Sequence, residues 1–142
     1  MPLINFHFPY RQFALKNRKA LQLFISSTFK AERKKLVSLQ CIFCSDASLL
    51  TINRQYLQHD YYTDIITFNL GTETAIEGEI YISIERVKEN ALLLQTSFTE
   101  ELHRVIFHGV LHLCGHKDKL KREKQEMRRK EDCLLQLYFN KK

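Results

Sequence analysis

The sequence predicts an α+β fold: one domain over residues 1–142, with a mixed, mostly antiparallel sheet of about four strands packed with about five helices. Two observations predict it. The chain of 142 residues is 44% hydrophobic with only 4 Gly and 2 Pro, a length that buries roughly 70% of the unfolded surface in one core and a composition unlike disordered or fibrous chains. Its strand-like and helix-like stretches also follow one another in non-alternating order.

Ile4-Asn-Phe-His-Phe8 alternates apolar and polar residues and reads as the first strand. From Arg11 to about Lys35, Leu15, Leu21, Phe24, Ile25 and Phe29 recur among Lys and Arg, the pattern of one amphipathic helix with a candidate break at Ser26-Ser27-Thr28. Val37 to Cys44 is the second strand. Asp46 or Ser48 then caps a short helix from Leu49 to about Gln58. Ile65 to Leu70 and Glu79 to Ser83 are two further strands, joined by a loop containing Gly71 and Gly78 and spaced as an antiparallel pair. A helix follows from about Ile84 to Leu94. The next opens with Ser97 or Thr99 set against Glu, as in a capping box, and ends where Gly115 follows Cys114. Leu120 to about Phe139 forms the last.

The net charge of +6 and pI near 9.2 make a phosphate-bearing partner a natural expectation, although a solvated basic surface accounts for the charge equally well. No apolar run approaches the ~20 residues of a bilayer span, and Met-Pro-Leu-Ile-Asn-Phe-His lacks the basic and long apolar regions of a signal peptide. A cytoplasmic protein without a membrane partner is the expectation. Cys41-Ile-Phe-Cys44 has the C-x-x-C form of a redox or zinc site, but it lies within a strand, where residues three apart point to opposite faces. It reads as structural.

The stretch that carries chemistry is Val105-Ile-Phe-His108-Gly-Val-Leu-His112-Leu-Cys-Gly115-His116-Lys-Asp118. Four residues at 100° each put the imidazoles of His108 and His112 within about 40° on one helix face, a chelating geometry. Val105, Ile106, Leu111 and Leu113 surround them, and polar rings in an apolar setting need partners, which a metal supplies. Catalytic zinc takes three protein ligands and an open position, so a third donor must return after the helix. Gly115 permits the reversal, and either His116 or Asp118 can supply the donor. His103 lies off this line and reads as a surface histidine. The general base that H-E-x-x-H zinc proteases place between their histidines is absent, since Gly109 and Val110 stand there.

His108-Gly-Val-Leu-His112-Leu-Cys-Gly115 with a donor ten residues after the first His resembles the H-G-x-L-H-L-x-G-x-x-H signature of the YbeY family of bacterial endoribonucleases, which mature ribosomal RNA. Asn53-Arg-Gln-Tyr56 followed by Thr63-Asp64-Ile-Ile-Thr-Phe68, and Gly78-Glu-Ile-Tyr-Ile-Ser83, resemble two further blocks of that family in the same order. The resemblance implies a metal-dependent, single-strand-specific endoribonuclease. Its place would be ribosomal RNA processing, including 3′-end maturation of the small-subunit RNA, and ribosome biogenesis, with RNA and the small ribosomal subunit as partners. It implies one Zn2+, or another divalent ion, per chain, held by His108, His112 and Asp118, the two histidines also serving catalysis.

Two departures matter. Asp118 stands where the family has its third histidine, and a His-His-Asp set is harder than three imidazoles, which loosens metal selectivity. Leu57 stands where the family carries an arginine that handles RNA phosphate. Arg54, one helical turn earlier, is then a candidate for that contact, with Arg86 and Arg104 as others. A metal-dependent hydrolase of another substrate, or a ribosome-associated RNA-binding factor with little catalysis, are the alternative readings.

Overall fold

The computed structural model describes residues 2–140. Met1, Lys141 and Lys142, the ends of the expected 1–142 domain, and Met1 of the leader reading, lie outside the described residues. Four strands, β1 (Leu3–His7), β2 (Leu36–Cys44), β3 (Ile65–Asn69) and β4 (Ile76–Ser83), form one sheet in the order β1-β2-β4-β3. Five helices accompany them: α1 (Arg18–Ala31), α2 (Asp46–Leu57), α3 (Ile84–Leu94), α4 (Phe98–Leu113) and α5 (Lys121–Asn140). The expected α+β fold and mixed sheet are present, but the balance of directions corrects the expectation. β3 and β4 pair antiparallel as foreseen, whereas β1 with β2 and β2 with β4 are parallel. A hairpin leaves a local signature in the sequence; a parallel pair is closed by a crossover, here α1 for the first and α2 with β3 for the second.

Alternation along the strands splits the apolar residues between two faces. Leu39, Cys41 and Phe43 of β2 and Ile80 and Ile82 of β4 join the main core with α1, α3, α4 and α5. Cys44, Ile66 and Leu49 form a smaller cluster under α2. Cys41 and Cys44 therefore belong to different clusters, and both are free thiols. Burial pushes the Cys41 and Cys114 thiols up to about 12 and Cys44 to about 11. Because the thiolate is the reactive form, the native protein is expected to consume one equivalent of an aromatic disulfide reagent, at exposed Cys133, and all four thiols are expected to react after unfolding in guanidinium. Fast native reaction at a second thiol contradicts this packing.

Several boundaries move for identifiable reasons. Helix α1 starts at Arg18 rather than near Arg11, since Asn17 takes a left-handed conformation at φ 57°. It runs through Ser26-Ser27-Thr28 unbroken, the hydroxyls of Ser27 and Thr28 donating to the carbonyl of Phe24. Ser45, not Asp46 or Ser48, caps α2, while Asp46 pairs with Arg86 at 2.8 Å. Strand β4 extends back to Ile76 through Gly78, where an added Cβ would meet Leu113 Cδ1 at 2.6 Å, so α4 lies directly against the sheet there. His103 is the reverse of a surface residue. It is 6% exposed, stacks on Tyr138 at 5.3 Å, and donates from Nδ1 to the Thr99 carbonyl at 2.7 Å. Burial lowers its pKa, keeping it neutral. No described helix is long and apolar enough to cross a membrane.

Candidate metal centre

Helix α4 sets two of the three donors. Ser97 caps its start by accepting from the Glu100 N–H at 3.0 Å, and Glu100 and Glu101 complement the dipole in the first turn. The four-residue spacing then brings the His108 and His112 rings to 4.5 Å between centroids. Gly115 takes φ +101°, a region costly for any residue with a Cβ, and its N–H closes the helix onto the His112 carbonyl at 2.9 Å. The chain turns back and delivers Asp118. Its Oδ2 lies 3.2 Å from Nε2 of His108 and 3.2 Å from Nε2 of His112. Bonds of 2.0–2.1 Å at tetrahedral angles separate ligand atoms by about 3.3 Å, so both separations from Asp118 match those about a tetrahedral ion, and all three donor atoms lie within 4.8 Å of one another. Among the described residues this is the group of His, Cys, Asp and Glu that could hold a metal ion. His116 is turned elsewhere, its Nε2 2.7 Å from Glu32 Oε1, and Lys130 approaches the other oxygen of Glu32 at 3.6 Å.

Behind the trio lies a chain of charges that the sequence reading missed. Glu131 on α5 is 5% exposed, and its Oε2 accepts from Nδ1 of His108 at 2.5 Å. The other oxygen accepts from Arg104 Nη1 at 3.0 Å, while Arg104 Nη2 donates to Asp132 at 2.6 Å. Burial works against a proton on His108, but the hydrogen bond and charge of Glu131 prevail and push its pKa up. A carboxylate on Nδ1 fixes the tautomer and aims Nε2 at the metal position. One signal for Glu131 was available in the sequence: it falls in the line of Met127, Leu135 and Tyr138, the buried stripe of α5.

The trio opens onto a cavity of about 330 Å³ that Asn53, Leu57, His59, Tyr61 and Asp64 also line. Asp64 is held by Asn90 at 3.3 Å, and burial raises its pKa. The three candidate arginines lie outside this lining. Arg54 pairs with Asp60, Arg86 with Asp46 and over the Tyr62 ring, and Arg104 with the carboxylates behind His108.

Residues 8–138 match the model of the family described as Endoribonuclease YbeY. The chain belongs to that family. It is 50% identical over 127 residues to the Endoribonuclease YbeY of Cytophaga hutchinsonii, covering 89% of each chain. To that of Christiangramia forsetii it is 45% identical over 95% of this chain and 94% of the relative. The solution structure of TM1509 from Thermotoga maritima matches with TM-score 0.65 at 27% identity, over 99% of this chain and 91% of the other. In YbeY terms, Leu57, at the resembled arginine position, is a departure that lines the cavity beside the trio. Leu57→Arg is therefore expected to tighten RNA binding by roughly ten- to hundredfold through a charge-assisted phosphate contact, with Arg54→Ala as its companion. If Leu57→Arg leaves the dissociation constant unchanged, position 57 does not meet the strand.

Proposed function

We propose that this protein is a metal-dependent endoribonuclease of the cytoplasm that cuts single-stranded ribosomal RNA, including the 3′ end of the small-subunit RNA, in association with the small ribosomal subunit. The observation that carries the reading is the His108, His112 and Asp118 trio, its donor atoms within 4.8 Å of one another, opening onto a cavity in a chain of the YbeY endoribonuclease family. Zn2+ is the ion the donor set suits best, and when bound it supplies a Lewis acid that offsets phosphate charge and makes water a nucleophile near neutral pH. The chain does the rest. His108 and His112 present Nε2 atoms from a rigid helix, Glu131 keeps the proton of His108 on Nδ1, and Asp118 closes the set from the loop. The cavity mouth beside them gives a strand room to lie against the trio, and the overall charge of +6 favours a polyanion.

The test is a cleavage assay on the purified protein with zinc restored, comparing single-stranded RNA, duplex RNA and single-stranded DNA of one sequence. Cleavage of the single-stranded RNA alone is the expected result. Equal cleavage of DNA overturns the ribonuclease reading. RNA binding is also expected to weaken as salt rises, because lysine and arginine contacts release counterions from the phosphates; a flat response argues against a basic contact surface.

A further inference from the structure

Two cavities border His108 and Asp118: one carries Arg104 and Arg128, whereas among the described residues no lysine or arginine lines the other, which also reaches His112. The latter offers aromatic surface instead. His59 and Tyr61 both line it, their rings stacked at 5.1 Å with 19° between planes. The Tyr61 hydroxyl shares a hydrogen bond with Nδ1 of His59 at 2.9 Å. Tyr61 is 55% exposed, so the pair offers ring surface to an incoming ligand.

Both residues are anchored by one residue, through its backbone and its side chain. Asn53 on α2 is 1% exposed. Its backbone carbonyl accepts the His59 N–H at 3.1 Å, and its amide donates to the Tyr61 carbonyl at 2.9 Å. A loop tied twice to a buried residue holds its rings in place before any ligand arrives, which lowers the ordering cost of binding.

We propose that His59 and Tyr61 are a stacking platform for one unpaired nucleobase of the RNA strand that lies at His108, His112 and Asp118. The proposal rests on the nuclease reading and adds what the site grips. Every base has a π-face, so an aromatic platform accepts any sequence. A base paired within a helix keeps its faces covered, so the platform selects single strands. Leu57, on the same lining, extends the apolar surface where a phosphate-binding arginine would favour the backbone instead.

The test reads stacking apart from turnover. A single-stranded RNA carrying one 2-aminopurine is titrated with the full chain in the presence of a chelator, so that the strand stays whole, and the quenching of its fluorescence is followed. The same RNA is then cut with zinc added, and KM and kcat are separated. Wild type is expected to quench. Tyr61→Leu and His59→Ala are expected to lose the quench and to raise KM roughly tenfold or more with little change in kcat, their zinc content and melting temperature staying at the wild-type values. Tyr61→Phe keeps the ring and is expected to keep both signals, as is Tyr62→Leu, whose ring lies outside the lining. Unchanged quench and KM in Tyr61→Leu and His59→Ala overturn the platform even if RNA is cut normally. A wild type that quenches the base yet cuts no RNA with any divalent ion overturns the proposed function and leaves the platform standing.

Discussion

Asp118→Ala protein is expected to purify with metal at background level, whereas His116→Ala protein is expected to keep its metal. Both positions follow the helix-ending Gly115 closely enough to reach back, and chain length alone does not separate them. Geometry does: Asp118 Oδ2 stands 3.2 Å from both imidazole Nε2 atoms, while His116 is engaged by Glu32. Losing a direct ligand costs more than the roughly 10–100-fold that losing an outer partner costs, so RNA cleavage should fall by about 100-fold or more. Atomic absorption on the two purified variants decides the matter. Metal lost from His116→Ala and retained by Asp118→Ala would reverse the assignment.

The second large effect is expected at Glu131, which touches the trio through Nδ1 of His108 and is not one of its three donors. Glu131→Gln keeps the shape but exchanges a charged acceptor for a neutral amide. Without the carboxylate, His108 Nδ1 loses its anchor and the imidazole its fixed tautomer. Zinc affinity, read by competition with a chromophoric chelator, is expected to fall roughly 10–100-fold. Glu131→Ala goes further, leaving Arg104 buried with a single partner, and breaking a buried ion pair from one side costs about 3–5 kcal/mol of fold stability. The two variants separate metal binding from folding: the first should melt near wild type, the second well below it. Wild-type zinc affinity in Glu131→Gln removes the outer carboxylate from the account.

What the sequence made visible and what it hid divide by distance along the chain. His108 and His112 show themselves because helical periodicity alone puts them on one face. The β3–β4 hairpin is visible for a similar reason, its two strands being neighbours in sequence. Glu131 is 23 residues from the histidine it orients, on another helix, and no periodicity links the two. His103 reads as a surface residue because it lies off the line of His108 and His112, yet α5 folds back and covers it with Tyr138 and Phe139. The parallel pairings likewise depend on which strands the crossovers bring together, a property of the assembled sheet. Asn53, within a recognised motif, gave no sign that its role is to hold His59 and Tyr61 through their backbones.

The trio is divided between two kinds of support. His108 and His112 share one helix pressed against the sheet, so neither can be exchanged for a side chain of different reach without moving α4 against its whole packing surface. Asp118 sits past Gly115 on a short irregular turn, where an added Cβ at the glycine would meet nothing within 4 Å. The glycine leaves torsional latitude at the start of the turn, while His116 within it is held to Glu32. The helical pair is thus the half of the centre fixed by packing and the turn the half set by local torsions, which is how a carboxylate reaches the two rings from outside the helix that holds them.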